Sequence, residues 1–288
     1  LLSDYDEETL LYYHQVGVRG LRFKATSLEK YDTLVAPRLN STEFPRIAAF
    51  VKANDWHWGV QLASTARVKW AEILYILQNT TSPTTIDMFG RPDPLLGALE
   101  DNGTLAILNA SRQPEPAGKI WVELGGPFRV DPRCTYSEPE AAFYTVCLPQ
   151  DRVKVPRRGT GELRSLCCPP KTHNLLIELA EIYVDAVGED FVIWGTDWPF
   201  ISDVGVTIQA LLDVMPLWVP NVTVREKILG LNPVRNGTVG VSPLFPLLDL
   251  PPALPSFFIA GAFFEARPDD ALAFQLAVEE ANDAIPMN

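Results

Sequence analysis

Five short runs of β-forming residues in this 288-residue chain end on side chains that can do chemistry. The runs cover 18–24, 57–62, 84–89, 119–124 and 191–196. Their ends carry Arg22 and Lys24, then Gln61, then Asp87 and Met88, then Glu123 with Gly125-Gly126-Pro127-Phe128-Arg129, and last Asp197-Trp198-Pro199. Strands buried on both faces should read as nearly continuous apolar runs, so a polar set at one end of each is out of place as packing. A carboxylate there can act as a general base, because burial raises its pKa toward neutrality. An arginine there can hold a carboxylate group through the parallel hydrogen bonds of its planar fork.

The elements that must position these residues alternate. Between the β runs, residues 7–15, 43–54, 66–78, 94–106 and 174–187 repeat apolar side chains at spacings of three and four and read as amphipathic helices. A further helix is expected from Thr223, where Thr223-Val224-Arg225-Glu226 has the form of a capping box. Strands alternating with helices imply a parallel sheet joined by helical crossovers. Five βα units are visible, whereas a closed (β/α)₈ barrel needs eight. Periodicity alone fits either an incomplete barrel or an open doubly wound sheet.

Two stretches interrupt the rhythm. Residues 131–172 hold six prolines and the basic side chains Lys154, Arg157 and Arg158, with no sustained period, so they are expected to form a lid or an irregular loop, poorly ordered over 151–170. Residues 243–255 are also broken by prolines and lead to a strand over 256–263 and a helix over 269–284. The domain reading is one unit over 1–240, with 131–172 as an insertion, and a linker and strand–helix tail over 241–288.

A formal net charge of -12 is against a nucleic-acid surface, which needs clustered Lys and Arg. No apolar run is long enough to span a bilayer, and the first residues are acidic where a signal peptide is basic, so a soluble cytoplasmic protein is expected. The four cysteines, Cys134, Cys147, Cys167 and Cys168, match neither a metal knuckle nor a disulfide scaffold and read as reduced thiols. Asn40, Asn79, Asn102, Asn109, Asn221 and Asn236 each begin an N-x-[ST] triplet, the acceptor pattern of secreted glycoproteins. Without an export signal these triplets read as coincidental. The partner expected is a small-molecule substrate, with neither nucleic acid nor membrane.

The segment Val192-Ile193-Trp194-Gly195-Thr196-Asp197-Trp198-Pro199 resembles the last barrel strand of the amidohydrolase-related TIM-barrel hydrolases. Further partial matches stand in that family's order. They are residues 17–23, Gly59-Val60-Gln61-Leu62, Ile86-Asp87-Met88-Phe89-Gly90-Arg91-Pro92, residues 120–129 and Ile228-Leu229-Gly230-Leu231-Asn232-Pro233. Together they span most of 1–240. The nearest branch resembles 2-pyrone-4,6-dicarboxylate lactonase and related sugar lactonases. The resemblance implies an incomplete (β/α)₈ barrel of metal-dependent-hydrolase type, with about five of eight units present. It also implies a hydrolase that opens a lactone or cyclic ester of a small acid by attack of water. Asp197 is then the catalytic base, and Arg22, Arg129, Gln61 and Asp87 bind substrate.

The chain departs from the family where metal ligands would stand. It has no His-x-His pair, and its three histidines are His14, His57 and His173. In the family's Asp-His-hydrophobic-Gly motif, Met88 takes the place of the histidine, and Glu123 and Gly125 stand where Lys and Ser are common. No cofactor is therefore expected, although the family can use a divalent metal such as zinc, whose His and Asp ligands are largely missing here. His14, His57 and Met88 read as structural, and His173 as the histidine able to reach the strand ends. With three strands and the family's histidines missing, the hydrolase is expected to be impaired, folding poorly and opening lactones slowly or not at all; the alternative is a non-catalytic remnant or binding module. On that reading Phe258-Ile259-Ala260-Gly261 and the residues after it resemble the start of a receptor-type ligand-binding domain.

Overall fold

The computed structural model describes residues 6–114, 116–138, 147–157, 160–197, 200–201 and 206–235. The expected tail strand and helix, and the Asn236 triplet, lie outside the described residues.

The described residues form seven strands: β1 (Gly20–Ala25), β2 (His57–Leu62), β3 (Thr84–Ile86), β4 (Ile120–Gly125), β5 (Arg152–Pro156), β6 (Leu163–Cys167) and β7 (Val192–Gly195). Five of them form a parallel sheet in the order β1-β2-β3-β4-β7, and β5 pairs with β6 as an antiparallel hairpin. Apart from the inserted hairpin, each sheet strand lies beside its predecessor in the chain. A barrel runs in that sequential order, whereas a doubly wound sheet reverses direction at a switch point. The five parallel strands are thus part of a (β/α) barrel, with β1 and β7 outermost among the described residues.

The helices are α1 (Glu7–Gln15), α2 (Leu28–Lys30), α3 (Ala36–Leu39), α4 (Phe44–Ala53), α5 (Trp70–Gln78), α6 (Asn102–Ser111), α7 (Pro127–Val130), α8 (Pro170–Val187), α9 (Ile208–Trp218), α10 (Val222–Glu226) and α11 (Asn232–Arg235). Residues of opposite parity on the strands meet two different environments. One face presents Phe23, Trp58, Val60, Leu62, Ile86, Val122, Leu124 and Val192, all buried with the apolar stripes of the helices. Trp58 shows the fit: its ring lies 5.7 Å from Phe23 and 5.6 Å from Phe44 of α4. The opposite face carries the polar set.

Three local expectations are corrected. Helix α6 starts at Asn102 and not at Pro94, because Asp101 caps it by accepting from the Thr104 backbone N–H at 2.9 Å. Helix α10 is capped by Asn221, whose Oδ1 accepts from the N–H groups of Thr223 and Val224, so Thr223 lies inside the first turn. Within the stretch 151–170, expected to be irregular and poorly ordered, Arg152–Pro156 and Leu163–Cys167 instead pair as β5 and β6 and bury Val153, Val155 and Leu166. Arg164 of the hairpin reaches Asp213 of α9 at 2.6 Å.

The expectation of reduced cysteines is also corrected. Cys134 pairs with Cys168 and Cys147 with Cys167, so the described residues hold no free thiol. The adjacent Cys167 and Cys168 each bond a different partner and tie the hairpin to the segment after α7. The spacing concealed this because pairing depends on the hairpin bringing the end of β6 back over residue 134.

Candidate functional site

Strand register assembles the site. Gly20 is opposite His57, Arg22 opposite Gly59 and Lys24 opposite Gln61; Gly59 also faces Thr85, Thr85 faces Trp121, and Gly125 faces Gly195. With side chains alternating between faces, Arg22, Lys24, Gln61, Asp87, Glu123 and Asp197 share one face, toward the strands' C-terminal ends. Glycines make the room. A Cβ on Gly59 would lie 3.4 Å from the Arg22 side chain, and one on Gly125 would lie 2.8 Å from Glu123 Oε1. A Cβ on Gly195 would collide with the same carboxyl.

Two ion pairs organise the charges. The Arg22 guanidinium is paired with the buried Asp87, and Arg129 Nε donates to Asp197 Oδ2 at 2.6 Å. Arg129 also lies over the Phe200 ring, 4.7 Å from its centroid, which fixes the plane of the fork. Gln61 Nε2 donates to Met88 Sδ at 3.3 Å. The structure therefore brings Arg22, Gln61, Asp87, Arg129 and Asp197 to one mouth.

Burial sets the protonation of this cluster. Burial raises Asp197 above the usual carboxylate range, while Arg129, Arg22 and Arg91 pull it back. Burial likewise raises Asp87 against the opposing pull of Arg22. Glu123 is pushed up to about 8, first by burial and then by the neighbouring Asp87, with Arg22 opposing. At neutral pH it is mainly a protonated carboxyl. Arg91 falls to about 10 through burial and the nearby Arg129 and remains cationic at neutral pH.

Left-handed backbone gathers at the same mouth. Met88, Phe89 and Arg91 have φ of 53°, 56° and 50°, Asp197 has 60°, and Gly126 has 54°. Such conformations in residues with a Cβ cost on the order of 1–3 kcal/mol each and persist where the surroundings fix them. Here Tyr183 Oη donates to the Phe89 carbonyl at 3.1 Å, Arg91 Nε donates to the Arg129 carbonyl at 3.2 Å, and Phe89 meets Trp218 edge-on at 5.1 Å. The turn ends β3 after Ile86 and directs Asp87 and Arg91 to the mouth.

One histidine, His173, is placed differently from the sequence reading. His173 does not reach the strand ends: its Nδ1 is 2.7 Å from Tyr136 Oη in the packing beneath the hairpin. His14 accepts from Trp56 Nε1 at 3.0 Å on α1. His57 stands on the site face below Arg22, and burial with the Arg22 charge lowers it to about 4, so it is neutral. The sequence places Glu123 at a strand end but assigns it no role, because its protonation depends on burial beside Asp87, and it leaves out Arg91, which depends on an αL turn that periodicity does not signal.

The donor set does not suit zinc. Among the described residues no three His, Cys, Asp or Glu side chains lie together as metal ligands, and arginine cations occupy Asp87 and Asp197. Among the described residues, no helix is long and apolar enough to cross a membrane.

No protein-family model matches the sequence, and no curated protein matches it. Solved structures do match its fold. A probable 2-pyrone-4,6-dicarboxylic acid hydrolase from Acinetobacter baumannii, crystallised with citric acid bound, is 18% identical with a TM-score of 0.56, over 81% of this chain and 69% of its own. A counterpart from Pseudomonas putida is 18% identical with a TM-score of 0.57, over 83% and 70%. An amidohydrolase from Burkholderia multivorans with bound Hepes is 16% identical with a TM-score of 0.52, over 80% and 68%; it has also been crystallised with zinc. The parallel sheet of this chain thus shares its fold with the barrel sheets of these structures, as the resemblance of its strand ends implies.

Proposed function

We propose that the chain is a hydrolase of the amidohydrolase type that opens a lactone or cyclic ester of a small acid, with Asp197 as general base. The observation carrying this reading is the position of Asp197. Its carboxylate is mostly buried and raised, Arg129 holds it by Oδ2, and it stands across the mouth from Arg22, Asp87 and Glu123. A base with a pKa moved toward the working pH can take a proton from water and is still ionised enough to do so.

In the reaction, water loses a proton to Asp197 and its oxygen bonds to the ester carbonyl carbon. The carbonyl becomes an oxyanion, which Arg22 and the protonated Glu123 can stabilise by charge and hydrogen bonding. The bond from acyl carbon to ring oxygen then breaks, and the departing oxygen takes up a proton to leave a hydroxy acid. Arg129 and Arg91 supply positive charge for substrate carboxylates, while Gln61 and Asp87 orient the ring and Arg22. A multiply carboxylated substrate suits this mouth. The Acinetobacter structure was crystallised with citric acid, which is such a molecule. No step is assigned to a metal.

The test is ring opening across a panel of pyrone carboxylates and sugar lactones, followed by absorbance and by proton release. Wild type should turn over at least one carboxylated lactone, and Asp197→Asn should lose a factor of about 10²–10⁴. If the folded protein binds di- and tricarboxylates by calorimetry but opens no lactone, the hydrolase reading fails and a binding module replaces it.

A further inference from the structure

We propose that this chain matures in an oxidising, glycosylating compartment and carries N-linked oligosaccharides on Asn40, Asn79, Asn102, Asn109 and Asn221. Two independent observations carry it. First, both disulfides close within the fold, joining Cys134 to Cys168 and Cys147 to Cys167. Structural disulfides persist in secreted and lumenal proteins and are rare where thiol buffers keep cysteines reduced.

Second, the acceptor triplets are too frequent and too well exposed for chance. Six of the eleven asparagines stand two residues before Ser or Thr, although Ser and Thr make up only 29 of 288 residues. Random placement would give about one such triplet. All five triplet asparagines among the described residues are exposed. None has Pro at the middle position.

The fold also leaves room for the sugars. Asn79 is the C-cap of α5 and Asn109 lies in the last turns of α6, just ahead of β3 and β4. Helices that follow parallel strands return to the sheet's N-terminal end, so these two sites lie away from the charged mouth. At Asn221 the carboxamide oxygen caps α10, while the nitrogen that would carry sugar is not the capping atom. Glycosylation and capping can coexist there.

The chemistry balances with two outside reactants. An oligosaccharide on a lipid diphosphate loses its C1–O bond, the asparagine Nδ2 gives up a proton and forms the C1–N bond, and the lipid diphosphate leaves. Each cysteine pair passes two electrons and two protons to a disulfide-donating oxidoreductase. This reading reverses the cytoplasmic expectation and the treatment of the triplets as coincidence.

The test uses the chain recovered from its own cells by antibody. One portion is treated with peptide N-glycosidase in heavy-oxygen water, and another is alkylated without reduction. The expected results are a faster-migrating band, labelled Asn-to-Asp conversion at the five positions, Asn221 among them, and four cysteines that resist alkylation until reduced. Unchanged mobility with no conversion, or cysteines that alkylate without reduction, would overturn the proposal. Thr223→Ala, expressed in the same cells, should lose conversion at Asn221 alone, since it removes the triplet while keeping the Asn221 cap. Conversion at Asn221 that persists in this variant also counts against the proposal.

Discussion

Arg129 Nε donates to Asp197 Oδ2 at 2.6 Å, and the Asp197 backbone stands at a φ of 60°. The pair joins the turn after β4 to the end of β7, so the proposed base is held by charge, by hydrogen bonding and by backbone geometry together. Burial raises Asp197 and Arg129 lowers it. Removing the guanidinium should therefore raise the carboxyl further. In Arg129→Gln, the acidic limb of kcat against pH should move to higher pH, and kcat at neutral pH should fall by about tenfold or more. A profile with its acidic limb unmoved would mean that the limb reports another group.

Glu123 sets the alkaline side. Its carboxyl is pushed up to about 8, so a mechanism that uses the protonated form loses rate as pH rises through that value. Glu123→Gln should keep activity and lose the alkaline limb. Stability follows the same linkage: a group whose folded pKa exceeds its unfolded pKa favours folding most fully below the unfolded value. That contribution declines from about pH 4.5 and is lost as pH passes the folded value of about 8. Urea midpoints of wild type and Glu123→Gln should therefore diverge between those limits, with the variant gaining relative stability at alkaline pH.

The sheet was legible in the sequence because it depends on alternation. His57–Leu62 is the expected strand to the residue and three others differ by one or two residues at their ends, but the strand expected over 84–89 stops at Ile86 and turns through Met88 and Phe89. Arg22, Gln61, Asp87, Arg129 and Asp197 could be nominated because a polar or charged side chain at, or just beyond, the end of a buried strand lacks a packing explanation. Arg91 and the hairpin were not legible. The first depends on αL residues at Met88, Phe89 and Arg91, and the second on pairing between residues far from β4 and β7 in the chain. The disulfides depend in turn on that hairpin. The helix over 208–218 was missed because Pro216 interrupts it, although Thr207 caps it through the Ala210 N–H at 3.1 Å.

Asn232 illustrates a motif residue whose role is structural. It is fully buried and its Nδ2 donates to the carbonyls of Glu189 at 2.7 Å and Val192 at 2.8 Å, fixing the entry into β7 and thereby the level of Asp197. Asn232→Ala would leave both carbonyls without that donor, at a cost of about 1–3 kcal/mol. Urea denaturation should show the loss, and kcat should fall more than KM rises, because the base is displaced without any substrate contact being removed.

The hairpin offers a last prediction, in which covalent and packing contributions can be separated. Cys134–Cys168 and Cys147–Cys167 close segments of 34 and 20 residues, and each such closure is worth about 3 kcal/mol by chain entropy, with the two overlapping. The hairpin is also held without them, since Arg164 pairs with Asp213, Tyr136 packs on His173 and Trp218, and Thr172 Oγ1 donates to Asp131 at 2.8 Å. Reduction under native conditions should therefore lower the urea midpoint while leaving the parallel sheet folded. Limited proteolysis of reduced protein should cut first within 131–172, and near-ultraviolet circular dichroism should lose the Tyr136 and Trp218 signals before the far-ultraviolet signal falls. Loss of both signals together, at one denaturant concentration and with no early cuts, would show that the hairpin and sheet unfold as one cooperative unit even when reduced.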